Sequence, residues 1–142
     1  MARIPLAQKI KVVKASVPAV TAIGAVAPVE VNGTGYDRCM WIISFGAGGA
    51  GASTCSGKIQ DAATTGGALV DITSAASAGY TKAGHASTVN VIDHAVNSAR
   101  PFMKFTGTVA TDTLATCVTA ILYNGRNFPV ATAYATEFIQ VV

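Results

Sequence analysis

Residues 87–130 read STVNVIDHAVNSARPFMKFTGTVATDTLATCVTAILYNGRNFPV, and this stretch specifies structure more strongly than any other part of the chain. It contains three runs of β-forming residues, at 87–93, 102–110 and 113–124. Residues 110–112 form the only connection between the last two runs, and three residues suffice for a tight turn. We therefore expect these two strands to pair as an antiparallel hairpin.

The middle run alternates as a strand with one buried side does. Met103, Phe105 and Val109 lie on one side, whereas Lys104 and Thr106 lie on the other. The pattern places the apolar side on a core and the polar side towards solvent or a partner.

A second strong signal is YDRCMWIISF at 36–45, which predicts a central strand. Cys39 and Trp41 lie on one side of this strand, and Met40 and Ile42 make the other side apolar as well. We expect such a strand to be covered on both sides, by a second sheet and by either an arm or a neighbouring molecule.

Shorter segments complete the pattern. IKVVK at 10–14, SGKIQD at 56–61 and ALVDIT at 68–73 predict strands, and the small polar residues of 74–86 predict a surface loop. The last ten residues, AYATEFIQVV at 133–142, alternate again, which suits addition of a strand to a neighbouring subunit.

The composition favours an all-β fold. The chain has 16 Thr and 16 Val but only 4 Leu and 2 Glu, so it is poor in helix-forming residues. Its 142 residues are enough for one domain with its own core. We predict an antiparallel β-sandwich at 35–130, jelly-roll or immunoglobulin-like, between an extended N-terminal arm at 1–34 and a C-terminal strand or arm at 131–142.

The chain is poor in charge. Only 12% of its residues are charged, 51% are hydrophobic and the mean hydropathy is +0.45. A soluble domain carries about 25% charged residues, so the deficit indicates that other subunits cover much of the surface. The alternative is that an alanine-rich composition raises the hydropathy without any such covering.

The net charge of +3 is unevenly placed, because Arg3, Lys9, Lys11 and Lys14 all precede the first acidic residue, Glu30. A basic arm can contact nucleic acid or an acidic protein surface. No aromatic residues are interleaved with these charges. A solvated or protein-contacting strand is therefore favoured, with no specific nucleic-acid partner.

The three cysteines, Cys39, Cys55 and Cys117, show no CxxC spacing, which argues against a zinc site and against a complete disulfide framework. Free thiols in a protein folded in a reducing cytoplasm fit best, and a bridge between Cys39 and Cys117 stays open. No stretch reaches the roughly 18 uninterrupted apolar residues of a membrane-spanning helix, so we expect no membrane partner.

The segment GAGGAG at 46–51 matches the GxGxxG pattern of a dinucleotide-binding loop, and Asp71 follows 20 residues later. That reading requires a helix directly after Gly51. Residues 52–67 lack a helical apolar stripe and contain glycine and threonines. A flexible hairpin loop is therefore favoured over a nucleotide site.

The candidates for catalysis are weak. Asp93 is adjacent to His94, but neighbouring residues on a strand point to opposite faces, so the carboxylate cannot orient this imidazole. His85 and the two glutamates are isolated, and there is no GxSxG motif. We expect an ordinary solvated histidine at 94, no enzymatic activity, no cofactor and no metal.

Candidate contact residues are the basic side chains of the N-terminal arm, arginines at strand ends beside an aromatic residue or a proline, and aromatic side chains near the C-terminus. Such arginines can pair with carboxylates across an interface, and the alternative is an ordinary residue at its rim. The predicted contact residues are Lys9, Lys11, Lys14, Arg38, Arg100, Arg126, Phe128, Tyr134 and Phe138.

Several segments occur in an order that resembles the small β-sandwich proteins that decorate, or cement, the capsids of tailed bacteriophages. These are GYD at 35–37, ALVDIT, STVNVID, SARPFMKFTGTVATDT and CVTAILYNGRNFPV. Asp93 ends the strand before RPFMKF, and Tyr123, Gly125, Arg126 and Pro129 match the end of the last core strand. The match covers about residues 35–130. SGKIQD departs from the more acidic, aromatic stretch that the family often has there.

The resemblance implies a structural virion protein without chemistry of its own, placed on the capsid exterior after assembly in the host cytoplasm. Its partners would be HK97-type major capsid subunits, across whose junctions it binds, and further copies of itself as a dimer or trimer. Alternatives are a host-surface or glycan-binding module that uses the loop at 74–86, and a minor shell or vertex protein.

Overall fold

The structure is a computed structural model that describes residues 10–16, 19–49, 52–76, 80–81 and 89–126. Predictions that concern residues 1–9 or 127–142, including the C-terminal arm, lie outside the described residues.

Within these residues the chain forms β-strands and no helix. The strands are β1 (Lys11–Lys14), β2 (Ala19–Thr21), β3 (Gly24–Ala25), β4 (Val31–Asn32), β5 (Tyr36–Gly48), β6 (Thr54–Ala62), β7 (Val70–Ala76), β8 (Tyr80–Thr81), β9 (Val89–Ala95), β10 (Phe102–Ala110) and β11 (Leu114–Gly125).

The strands form two antiparallel sheets that enclose one core. Sheet A has the order β1-β11-β5-β9, with β2 also paired to β11. Sheet B has the order β3-β10-β6-β7, with β4 also paired to β10 and β8 to β6. The predicted antiparallel β-sandwich is confirmed.

Short strands that lie end to end along the same neighbour fill one position in their sheet. β1 and β2 both pair with β11, β3 and β4 both pair with β10, and β7 and β8 both pair with β6. Counting each such pair as one strand leaves eight strand positions, which we number 1 to 8 in chain order. The order across sheet A is then 1-8-3-6, and the order across sheet B is 2-7-4-5. This eight-stranded, double-sheet arrangement is a jelly roll. An immunoglobulin-like sandwich keeps its first two strands in one sheet, so that alternative is wrong.

The predicted hairpin between 102–110 and 113–124 is wrong, because β10 and β11 lie in opposite sheets. β10 pairs with β6 over nine residues, and β11 pairs with β5. The other edges of both strands are occupied by the N-terminal strands β1 to β4. The short connection therefore turns a corner between the sheets, with Thr111 at a positive φ of 74°.

The described part of the predicted N-terminal arm is extended, and it belongs to both sheets. Ala15 and Ser16 form a bulge between β1 and β2, where both backbone N–H groups donate to the Val118 carbonyl at 2.8 and 2.9 Å. Further along, Val26 and Val31 are buried in the core. The predicted boundary at residue 34 therefore separates residues that share one core.

The core confirms the predicted alternation of β5 and β10. Trp41 and Ile43 are fully buried between the sheets, as are Met103, Phe105 and Val109 at no more than 1% exposure. These side chains and their neighbours form one continuous apolar cluster drawn from both sheets.

Two segments predicted as loops contain strand residues. Gly46 to Gly48 belong to β5, and the chain then crosses to β6 in the opposite sheet, so this segment is not the turn of a hairpin. Residues 52–76 contain no helix, which removes the element that a dinucleotide-binding loop requires. In the predicted loop at 74–86, β7 continues to Ala76 and β8 occupies 80–81.

Candidate interaction surface

The outward side of sheet A carries apolar residues on β1, β11, β5 and β9. Val12 on β1 is level with Ile121 on β11, which is level with Met40 on β5. One step along, Ile42 is level with Val91 on β9. We define the apolar face as Val12, Met40, Ile42, Val89, Val91 and Ile121.

This apolar face is accessible in the structure. Val89 and Val91 are 54% and 59% exposed, and Met40, Ile42 and Ile121 are half-buried. Every described strand belongs to one of the two sheets, and sheet B packs on the inward side of sheet A. The apolar outward side predicted for 36–45 is confirmed, and its coverage by a neighbour stays a prediction.

The outward side of sheet B is polar, and its side chains bond to one another. Asp71 accepts from Lys58 Nζ at 2.7 Å and from Gln60 Nε2 at 2.6 Å. Thr106 Oγ1 donates to Gln60 Oε1 at 2.6 Å. The hydrogen bonds from Lys58 and Gln60 hold the pKa of Asp71 below its ordinary value. This side of the molecule suits contact with water.

A polar cluster lies at one end of the apolar face. Arg38 donates from Nε to the Tyr123 hydroxyl at 2.9 Å and from Nη2 to Asp93 Oδ2 at 2.8 Å. Tyr123 donates to the same carboxylate oxygen at 2.7 Å. Burial raises the pKa of Asp93, but the hydrogen bonds from Arg38 and Tyr123 outweigh it and leave that pKa below its ordinary value. The bonds to Asp93 and Tyr123 raise the pKa of Arg38.

The other two predicted arginines also pair within the chain. Arg100 donates from Nε to Asp61 Oδ1 at 2.5 Å and from Nη2 to the carbonyls of Asp61 and Ala68 at 2.7 and 3.2 Å. Since Asp61 is buried, Arg100 anchors the loop before β10 to the end of β6. Arg126 Nε donates to Asp37 Oδ1 at 2.7 Å, near the end of the apolar face that holds Arg38.

The predicted lysines are distributed over different surfaces. Lys14 points outward on β1, level with Thr119, and lies beside the apolar face. Lys11 lies on the opposite side of the same strand, level with the buried Leu122. The predicted contact residues Lys9, Phe128, Tyr134 and Phe138 lie outside the described residues.

Sequence reasoning missed the aliphatic contact candidates. Val89 and Val91 stand at alternate positions in the predicted strand at 87–93, and Val12 stands in the predicted strand at 10–14. The period-2 spacing places Val89 and Val91 on one side of their strand. The strand order, which the structure supplies, is needed to show that Val12 lies on the same surface.

The cysteines are free thiols. The register partner of Cys39 is Leu122, which lies about 17 Å along β11 from Cys117, so a bridge between Cys39 and Cys117 is excluded. Burial, assisted by the charge of Asp93, raises the pKa of the Cys39 thiol to about 12. Burial raises the pKa of Cys55 to about 11. Cys117 is half-buried on the outward side of sheet A, level with Ser44.

His94 is a structural residue, so the prediction of an ordinary solvated side chain is wrong. Its Nε2 accepts a hydrogen bond from Nε1 of the buried Trp41 at 3.0 Å, and its Nδ1 lies 2.9 Å from the Ala95 carbonyl oxygen. Asp93 points to the opposite face of β9, as predicted, and bonds to the Arg38 cluster. His85 lies outside the described residues.

The described residues hold no group of three or more His, Cys, Asp or Glu side chains placed to bind a metal ion. The described residues also contain no helix that could cross a membrane. No protein-family model, curated protein or solved structure matches this chain. The resemblance to capsid decoration proteins stays a prediction.

Proposed function

We propose that this protein is a structural component of a bacteriophage virion that decorates and stabilises the capsid exterior by binding across junctions between HK97-type major capsid subunits. The apolar face of sheet A contacts the shell, and the polar side of sheet B faces water. The protein is assembled in the host cytoplasm.

The contrast between the two outward sides carries this proposal. Lys58, Gln60, Asp71 and Thr106 hydrogen-bond to one another on the outward side of sheet B, whereas the outward side of sheet A carries the aliphatic residues and the methionine of the apolar face. Contiguous exposed apolar surface of this kind marks interaction sites in soluble proteins. The 12% charged composition of the whole chain agrees with a molecule that is partly covered in its working state.

An apolar face spread over four strands suits a large and repetitive partner. Burying apolar surface stabilises by about 25 cal/mol per Å² as a gross term, from which the costs of association and ordering are subtracted. A single face therefore binds modestly, and simultaneous contacts with several subunits raise the effective affinity. The polar cluster of Arg38, Asp93 and Tyr123 lies at the edge of this contact, where its partly exposed charges favour correct orientation over raw affinity.

The fold supports this proposal by analogy. Jelly rolls with eight strands in two sheets recur in viral capsid proteins and in lectins. Because one fold serves many functions, the analogy is secondary to the contrast between the two faces.

The test compares one substitution on each face in binding to shells of the HK97-type major capsid protein from the same phage. Val91→Lys places an ammonium group on the apolar face, and Thr108→Lys places one at an exposed position on the outward side of sheet B. Since burying an unpaired charge is costly, we expect Val91→Lys to weaken co-sedimentation with the shells by about tenfold or more. Thr108→Lys should bind as the wild type does. Equal binding by both variants, or a loss with Thr108→Lys alone, contradicts the proposal.

A further inference from the structure

We propose that the free edge of β9 receives the C-terminal segment, residues 133–142, of a second copy of this chain as an added strand of sheet A. This inference deepens the proposed function, on which it rests, by naming a second copy of the chain as one neighbour on the shell.

β9 is the least protected edge of the sandwich. Its seven residues pair continuously with β5, without a register shift, and include no lysine, proline or glycine. In the described part of the chain its other edge has no strand partner. Natural sheets shield such edges with bulges, lysines or prolines, and an unshielded regular edge is a template for strand addition.

The remaining edges carry the protections that β9 lacks. β1 and β2 are separated by the bulge at Ala15 and Ser16, and β1 carries Lys11 and Lys14. β3 and β4 contain two residues each. The pairing of β7 with β6 shifts register between Lys58 and Gln60.

The C-terminal sequence supplies a suitable strand. Residues 133–142 alternate, with Tyr134 and Phe138 on one side and Ile139 on the other, and Glu137 is the only charged residue among them. Ten residues are enough to span the seven of β9. Edge pairing of this kind takes its affinity from backbone hydrogen bonds and its register from alternate side chains.

The segment that follows β11 is long enough to reach a second copy. β11 ends at Gly125, which is separated from β9 by the whole of β5. The 16 residues from 127 to 142 reach about 50 Å when extended, far enough to arrive at an adjacent molecule. Two copies can exchange these segments reciprocally about a two-fold axis, and the low charge of the chain fits self-association.

The experiment uses paired proline variants of the full chain. In an added edge strand alternate N–H groups bond to β9, and proline is tolerated only where the N–H faces away. One variant is Ala135→Pro with Glu137→Pro, and the other is Thr136→Pro with Gln140→Pro, so that the two pairs remove N–H groups from opposite edges of the segment and each serves as the control for the other. Light scattering gives the mass in solution, and hydrogen exchange reports on residues 89–95, with residues 102–110 as an internal reference.

We expect the wild type to be oligomeric and only one of the two proline pairs to produce monomers. In those monomers the amides of β9 should exchange at least about tenfold faster, while those of β10 do not change. An unchanged mass for both pairs overturns the inference. A monomeric wild type overturns it as well, even if β9 is protected, because the added segment would then come from the same chain.

Failure of this inference is separate from failure of the proposed function. Oligomeric mass and β9 exchange are measured on free protein. Shell binding is measured by co-sedimentation of the wild type and of the Val91→Lys and Thr108→Lys variants.

Discussion

The ring of Phe105 lies against the backbone of two glycines that face each other across sheet B. Gly57 and Gly107 are register partners on β6 and β10. A Cβ atom at Gly107 would lie 2.5 Å from Phe105 Cε1 and 3.4 Å from Val26 Cγ2. The missing side chains at Gly57 and Gly107 therefore leave the space that the buried ring of Phe105 occupies.

We predict that Gly107→Ala lowers the free energy of unfolding by about 1–3 kcal/mol, since the added methyl group forces the buried ring to move. Thr108→Ala, at the adjacent exposed position, should change it by less than about 0.5 kcal/mol. Chemical denaturation of both variants provides the measurement. Equal stability of Gly107→Ala and the wild type would show that the ring has room to shift.

The partners of the three predicted contact arginines could not be predicted from the sequence. The arginines were predicted as contacts because each stands at a predicted strand end beside an aromatic residue or a proline. The carboxylate partners of Arg38, Arg100 and Arg126 lie 55, 39 and 89 residues away in sequence. Pairing over such separations depends on strand order, which local pattern does not reveal.

Among the elements, β5, β9 and β11 are joined near one end by the cluster of Arg38, Asp93 and Tyr123. Each strand contributes one side chain, so the cluster ties three neighbouring strands of sheet A together on its outward side. Because the pKa of Asp93 is below its ordinary value, its ionised form stabilises the fold at pH values above the unfolded-state pKa of about 4. That contribution is lost as the pH falls through the lower folded-state value.

We predict that Asp93→Asn lowers the free energy of unfolding at pH 7 by less than about 1 kcal/mol, since the cluster is partly exposed and screened by solvent. The difference from the wild type should shrink towards zero as the pH falls below the folded-state pKa, where the carboxyl is neutral in both states. Thermal unfolding between pH 7 and pH 2 measures this. A difference that stays constant over the whole range would show that charge is not the cause.

The strands themselves were largely predictable from side-chain alternation, and their arrangement was not. The alternation of Met103, Phe105 and Val109 identified β10 and its buried side. The hairpin with β11 failed because the N-terminal strands fill the remaining edges of both β10 and β11. β2, β3 and β4 are only two or three residues long, too short to show an alternating pattern, and the pattern that predicted the strand at 10–14 does not identify its partner.

As a whole, the molecule is a jelly roll with two unlike sides. Sequence composition predicted that much of its surface would be covered, and the structure brings one set of accessible aliphatic residues, the apolar face, together on sheet A. The residues that form this face come from β1, β5, β9 and β11, which are distant in sequence. Only the strand order brings them onto one surface.

The thiol of Cys117 can report on the solvent accessibility of the outward side of sheet A. Cys117 is half-buried and points outward on β11, whereas Cys39 and Cys55 are buried and the pKa values of their thiols are raised. A thiol reagent at pH 8 should therefore label Cys117 first in the folded protein, because thiolate is the reactive form.

The most direct test of the account is the labelling rate of Cys117 in free protein and in protein bound to capsid shells, with Ser56→Cys on the outward side of sheet B as the control. We predict that binding slows the labelling of Cys117 by about tenfold or more, as expected for a group excluded from solvent at an interface, and leaves the introduced thiol of the control variant reactive. Unchanged labelling of Cys117 on the shell, or protection of the control position instead, would contradict the claim that sheet A is the docking side.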